Sequence, residues 1–432
     1  EEKPTLILNG DILELALCFT NEASMAFDRF IESVMPAGGE LFDRIIYIPG
    51  NHDHHLWELA RETQYVNFIK NKQPTEKLEV PWHATNMFIE KYLVSVKDED
   101  KDKATKSFFL RNLVRRFDHL NDEKGGKTPD IIIAYPNFGL YKEGLSKNVI
   151  FNHGHYIEPL YHLMSTMRTA LFPGRDLPND IRELEGENFA WIDFFWSAMG
   201  RSGGAGQDIE LIYEKMQEKD GIKELLHNLS RFAAENVGYE WSDSLETKAF
   251  ERVLNSIAGK AGVFEKKITD KPLSKKSKQG LADYMEGPLK SQLLTERHIP
   301  KEVTFVFGHT HKPFASFMNF SGYMQPVNIY NTGGWVVESR KREKLHGGSI
   351  VLVDEALDTV SLRMYNESDD GFKCVKVEEV SQGEVAQKTF YKKIKDIVDF
   401  DTEGVWKNFS NTVKEEVTIR AVKLGERIDT PG

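Results

Sequence analysis

Arg44-Ile45-Ile46-Tyr47-Ile48-Pro49-Gly50-Asn51-His52-Asp53 decides how the chain is read. A short apolar run breaks at Pro-Gly, and an amide, an imidazole and a carboxylate follow at once. Such a run, bounded by turn residues, reads as a buried strand. Three other places repeat the pattern. Thr5-Leu6-Ile7-Leu8 ends in Asn9-Gly10-Asp11, and Asn148-Val149-Ile150-Phe151 ends in Asn152-His153-Gly154-His155. Val303-Thr304-Phe305-Val306-Phe307 ends in Gly308-His309-Thr310-His311. Helical patterns such as 24–34 lie between several of these runs. The alternation predicts an α/β layered fold, and polar residues gathered at strand ends mark the place where such folds hold ligands.

Long inserts separate the strands. Residues 56–126 read as largely helical, with a solvated charged stretch at 97–103. Residues 130–135 and 148–151, joined through a Gly-containing turn, read as a hairpin. The largest insert, 156–300, is mainly helical and aromatic-rich, and its densest apolar stretch, 188–196, reads as the core of a cap. Residues 265–280 carry six lysines and several turn residues, which predicts an exposed, mobile loop. Further strands are expected at 327–330, 334–338, 349–353 and 359–365. The tail, 373–432, reads as a helical appendage with an amphipathic pattern over 385–398. The expected organisation is a discontinuous catalytic domain, 1–155 with 301–372, interrupted by the 156–300 cap.

Composition sets the outer bounds. The 432 residues are 40 % apolar and 28 % charged, which is ordinary for a folded globular chain. The net charge of −11 argues against a nucleic-acid partner. Two distant cysteines, Cys18 and Cys374, form neither a disulfide framework nor a metal-binding pair and suit a reducing, cytoplasmic setting. No apolar run approaches the roughly 18 residues of a spanning helix, and no signal peptide is visible.

The strand ends carry chemistry. Asp11 offers a hard oxygen ligand able to bridge two cations. The Asn51 amide oxygen can ligate a metal, the His52 imidazole can donate a proton, and the Asp53 carboxylate can accept the other ring N–H and orient His52. His309 and His311, two apart, project to the same side if the chain stays extended, and His153 adds a further imidazole. His155 is a candidate to face a substrate phosphate. His54 and His55 read as surface or supporting residues. The remaining histidines, at 83, 119, 162, 227, 298 and 346, have no company that suggests chemistry.

The ordered set Gly10-Asp11, Gly50-Asn51-His52-Asp53, His153-Gly154 and Gly308-His309-Thr310-His311 resembles the calcineurin-like metallophosphoesterase superfamily. Asn331-Thr332-Gly333-Gly334-Trp335 is similar to the region that follows the family's last motif. The resemblance covers about 1–155 and 300–365. It implies a four-layer β-sandwich flanked by helices, with two divalent ions (Mn, Fe or Zn) along one edge. Asp11 would bridge them, Asn51, His153 and His309 would complete one shell, and His311 would serve the other. Gly50 to Trp57 and Asn9 to Glu14 look most like the branch that includes the UDP-2,3-diacylglucosamine pyrophosphohydrolases, which carry a helical cap beside the site.

One departure matters. The family's first motif, Asp-x-His, lies on a strand before Gly-Asp, and here residues 1–10 hold neither Asp nor His. The chain starts at Glu1 rather than Met and enters a strand almost at once. The preferred expectation is that the motif lies upstream of Glu1. The other is a site with one well-held ion and weak activity. The expected activity is hydrolysis of a phosphate mono- or diester by a metal-bridging hydroxide. The alternatives are a nuclease of the same superfamily and a metal-poor scaffold that binds protein partners. Arg168, Arg175, Arg182 and Arg201 in the insert are candidates for phosphate binding.

Overall fold

The computed structural model describes residues 3–88, 105–142, 144, 146–172, 174–198, 270–296, 299–337, 340–367, 375–380 and 389–429. The charged stretch at 97–103, Cys374, Arg201 and most of the 156–300 insert lie outside them. The described part is mixed α/β with three sheets.

The first sheet holds β1 (Thr5–Leu8), β2 (Arg44–Tyr47), β3 (Thr105–Lys106) and β4 (Asp130–Ile133) in the order β1-β2-β4-β3. β1, β2 and β4 are parallel, with Leu8, Tyr47 and Ile133 in register. The second sheet holds β5 (Asn137–Lys142), β6 (Lys147–Asn152), β7 (Glu302–Phe307), β8 (Phe314–Met318) and β9 (Val327–Asn331) in the order β5-β6-β7-β9-β8. Its central strands β6, β7 and β9 are parallel. A third, antiparallel sheet joins β10 (Gly347–Val353), β11 (Thr359–Asn366) and β12 (Lys376–Glu378).

Side chains alternate across a strand, so an unbroken apolar strand must be covered on both faces. Ile46, Ile48, Ile132 and Ala134 of the first sheet share a buried cluster with Val149, Phe151, Val306 and Tyr330 of the second. The alternate residues Ile45, Tyr47, Ile131 and Ile133 pack against α1 (Thr20–Val34), α2 (His55–Lys70) and α3 (Phe108–Val114). On the far face of the second sheet, Ile150, Phe305, Phe307 and Ile329 meet residues of the insert, among them Tyr156, Leu184, Trp196, Leu281 and Tyr284. Helices, sheet, sheet and helices therefore follow one another. The insert elements here are α4 (Leu163–Leu171), α5 (Ile181–Trp191), a π-helical segment Ile192–Ala198, α6 (Lys275–Tyr284), a second π-helical turn Met285–Leu289 and α7 (Lys290–Glu296).

Several expectations are corrected. The hairpin pairs β6 with β5, not with 130–135; β4 belongs to the other sheet. Residues 275–280 of the expected loop open α6, which is capped by the Ser274 hydroxyl on the Ser277 amide at 3.0 Å. Its buried stripe of Ser277, Leu281 and Tyr284 outweighs the lysines on its open side. Residues 334–337 are not a strand; only Gly333 bridges to Gly348. The tail begins with β12, which extends the third sheet, before α8 (Thr389–Asp399) and α9 (Val405–Asp429). Residues 381–388 lie outside the described set. No helix among the described residues is long and apolar enough to cross a membrane.

Phe305 is fully buried where the second sheet meets the insert. Phe305→Ala should cost about 3–5 kcal/mol of unfolding free energy, read from urea titration, because truncation leaves a cavity that a close-packed layer cannot fill.

Candidate metal centre

The parallel strands deliver their C-terminal ends to one edge. β1 and β2 of one sheet and β6 and β7 of the other are followed directly by residues 9–11, 49–53, 153 and 308–311. The Asn9 side chain ties the two sheets by donating to the Asn152 carbonyl at 2.9 Å.

His153 stands at the middle and is almost fully buried. Its Nδ1 lies 2.9 Å from the Asn9 carbonyl, which can only accept, so this nitrogen carries a proton. Nε2 faces Asp11 Oδ2 at 3.1 Å, Asn51 Oδ1 at 3.2 Å and His309 Nδ1 at 3.3 Å. His309 is pinned in the same way. Its Nε2 donates to Glu158 Oε1 at 2.8 Å, which leaves Nδ1 as a lone pair turned inward. Buried electron-pair donors thus crowd one point, and a single N–H on His153 can serve only one of its three neighbours. A cation serves all four together, and an outer hydrogen bond that fixes the ring tautomer is how metal-ligating histidines are held. The residues present therefore fit a divalent ion with mixed N and O ligands. Asp11, His153 and His309 are the one His/Cys/Asp/Glu group of three or more that converges among the described residues. Asn51 is fully buried and its Nδ2 finds no hydrogen-bond partner there, so this side chain is committed through its oxygen.

Electrostatics agree with the crowding. Burial would raise the Asp11 carboxyl, but His153, His52 and His309 outweigh it and hold it well below the usual carboxylate range. Burial would depress the His153 imidazole, yet Asp11 lifts it above its ordinary value. In His309 burial wins over Glu158, and the imidazole falls below its ordinary value.

The backbone is strained at the centre. Asp11 (φ 53°), His309 (φ 65°) and His311 (φ 57°) occupy the left-handed region, which costs an L-residue roughly 1–2 kcal/mol. Such outliers gather at functional sites, held by their surroundings. Asn331 supplies part of that hold, donating to the Gly308 carbonyl at 3.2 Å and the Thr310 hydroxyl at 2.9 Å. The chain is therefore not extended at His309 and His311, as the same-side expectation required. His311 stands outside the converging group, with its ring against Gly334.

His52 lies beside the centre, its backbone N–H donating to Asp11 Oδ1 at 2.9 Å. The sequence pointed to Asp53 as the residue that orients its ring. The structure gives that place to Glu14, whose Oε1 is 2.8 Å from His52 Nδ1. Glu14 is itself steadied by the amides of Ala16 and Leu17, both at 3.1 Å. Asp53 points inward instead. It accepts from the amides of Ile12 (2.9 Å), Leu13 (3.3 Å) and Gly50 (2.6 Å) and from the Tyr47 hydroxyl. Burial, aided by the Asp11 charge, pushes its pKa up to about 6 against those donors. Asp53 is the clamp of the turn, and the carboxylate that meets the His52 ring is Glu14, three positions after Asp11.

His155 does not reach a phosphate-facing surface. It is fully buried among Tyr135, Tyr156 and Tyr161, with Nε2 3.3 Å from the Tyr135 hydroxyl. Burial and the neighbouring imidazoles drive its pKa well down. Nearby, Glu185 of α5 is fully buried against Tyr135 and Tyr156, and its carboxyl is raised well above the usual range. His54 is buried and His55 half-buried, and both face Asp193 of the insert, at 3.4 and 3.2 Å. Arg168 is paired with Glu187 at 2.9 Å, and Arg182 reaches Asn86 at 3.4 Å. Glu14, Glu158 and Asp193 were missed from sequence, because only folding brings them to their partners.

No protein-family model matches the chain, and comparison with the curated proteins and with the solved structures found no match either.

Two substitutions test the geometry. Glu158→Gln should weaken divalent-metal affinity about 10–100-fold, measured by competition with a chromogenic chelator, because the His309 ring loses its anchoring charge. A Cβ at Gly50 would collide with Asp11 Oδ1 and press on the His153 ring. Gly50→Ala should therefore abolish stoichiometric metal binding while circular dichroism shows a folded chain.

Proposed function

We propose that this chain is a metal-dependent phosphoesterase of the calcineurin-like metallophosphoesterase type, cleaving a phosphate mono- or diester. The observation that carries the reading is the convergence of Asp11 Oδ2, Asn51 Oδ1, His153 Nε2 and His309 Nδ1 on one point beside the Glu14–His52 pair. The order helices, sheet, sheet, helices suits the four-layer sandwich of that superfamily, and the motifs sit at the strand ends where the resemblance expects them.

Asp11, Asn51, His153 and His309 would hold the ion. A divalent ion there supplies Lewis-acid charge neutralisation and a more acidic water. The second ion that the resemblance implies would need His311 together with ligands beyond this group. The protein's own part is proton transfer and orientation. In hydrolysis a water oxygen bonds to phosphorus, the bond from phosphorus to the leaving oxygen breaks, and that oxygen takes up a proton. His52 is placed to give it. Glu14 accepts the Nδ1–H, which fixes the ring and commits Nε2 to the transfer. Asp53 keeps the turn closed, and Asn9 and Glu158 keep both ligand rings in the tautomer that presents a lone pair.

Elemental analysis should find at least one tightly held divalent ion per chain, and bis(p-nitrophenyl) phosphate should be hydrolysed with Mn²⁺ present. His52→Ala should lower turnover about 10²–10⁴-fold at unchanged metal content, the usual worth of a positioned general acid. Asp11→Ala and His309→Ala should lose the metal itself. A metal-replete chain inert toward phosphomonoesters and phosphodiesters would leave the scaffold reading in its place. Turnover of single-stranded DNA above that of the chromogenic ester would favour the nuclease.

A further inference from the structure

Helix α2 starts directly after the His52 turn, and it lacks a cap of its own. His54 occupies the N-cap position without a side-chain cap hydrogen bond. The cap comes from the insert, more than a hundred residues away. Ser197 Oγ accepts the His55 amide at 2.9 Å. The Asp193 carboxylate lies 3.4 Å from His54 Nδ1 and 3.2 Å from His55 Nδ1, at the positive end of the helix. Those imidazoles and burial are the main influences on Asp193, and the imidazoles hold its pKa well below the usual carboxylate range. Around this contact, Phe189 packs edge-on to His54, and Arg61 lies over the Phe189 ring at 4.4 Å.

We infer that Asp193 and Ser197 are positioning residues of the active site: the insert caps α2 from a distant part of the chain and thereby holds the turn that presents His52. The link is continuous through the backbone. The Asp53 carbonyl accepts the Leu56 amide at 2.9 Å, and the His54 carbonyl accepts the Trp57 amide at 2.9 Å. The His52 carbonyl also accepts the Leu15 amide at 3.2 Å, so fraying the first turn of α2 loosens the turn from its Asp53–His54 end while that bond stays. The front of the turn behaves differently. Asp53 grips Gly50, Ile12 and Leu13, and Asp11 holds the His52 amide, so the metal ligands keep their places when the Asp193–Ser197 contact is lost. The inference rests on the phosphoesterase reading and adds to it that proton donation depends on the docked insert.

The test compares Asp193→Asn, Ser197→Ala and Asp193→Glu with the wild-type chain. Amide exchange over 54–58 should speed up about fivefold in each of the first two, the opening that one lost helix cap allows. The kcat for bis(p-nitrophenyl) phosphate should fall about tenfold, with KM and metal per chain unchanged, as for a catalytic group set slightly out of place. Asp193→Glu, which keeps the charge, should recover most of the kcat. An unchanged exchange pattern, or a kcat unmoved in an active enzyme, would overturn the inference and leave the phosphoesterase reading standing. Loss of metal in Asp193→Asn would also overturn it, by making the residue a support of the centre as a whole. A wild-type chain that binds metal and hydrolyses nothing would instead remove the reading on which the inference rests.

Discussion

The hydrogen bond from His153 Nδ1 to the Asn9 carbonyl, at 2.9 Å, is the constraint around which the centre is arranged. It fixes one ring tautomer and so decides that Nε2 faces Asp11, Asn51 and His309. Asn9 follows the first strand of one sheet, and His153 follows a central strand of the other. The bond can exist only if the two sheets pack at one depth and in one register. That packing is set far from any ligand, by Ile46, Ile48 and Ile132 against Val149, Phe151 and Val306. Burial of apolar surface, at roughly 25 cal/mol per Å², supplies the driving force. The polar edge adds little stability of its own and takes its geometry from the core beneath.

The same dependence accounts for the strain. Asp11, His309 and His311 hold left-handed backbone conformations that their residue types resist. Half-buried β1 leads into Asp11 and buried β7 into the 308–311 loop, and buried Asn331 locks that loop from the side. Gly10 and Gly50 remove the last obstacle. A Cβ on either would run into His153 or Asp11, so the glycines of these turns are there for the space they leave, and Gly10 also for its φ of 86°.

The strands and their loaded ends were legible because both signals are local: an unbroken apolar run, then a turn rich in ligand-type residues. What one sequence could not say was which sheet each run joins. β4 and β6 look alike as strings, and the hairpin expected between them pairs β6 with β5 instead. Composition misled at 275–280, where lysine content suggested a loop and a buried stripe of Ser277, Leu281 and Tyr284 makes a helix. At the centre, Asp11, Asn51, His153 and His309 were readable as a set, while His155, chosen for its nearness to His153, turns into a tyrosine cluster, and His311, expected to serve a second ion, lies outside the converging group. The carboxylate partners were hidden for a related reason. Asp53, next to His52 in the chain, turns inward to backbone amides, and Glu14, distant in the chain, takes the imidazole.

The charge balance around Asp53 suits a cation beside it. Its carboxyl receives three amide N–H groups and a tyrosine hydroxyl, a donor set built for an anion. Burial and the neighbouring Asp11 charge nevertheless push it up to about 6. Buried Asp53 and half-buried Asp11 repel each other in one small volume, a cost that a neighbouring positive charge offsets. The protonated fraction of a few imidazoles is a weak and pH-dependent repayment, all the more so because burial depresses His309. A divalent ion among Asp11, Asn51, His153 and His309 would offset the Asp11 charge and favour the ionised form of Asp53 that its donors are set to bind. The turn that carries His52 and the group of ligands beside it would then stabilise each other.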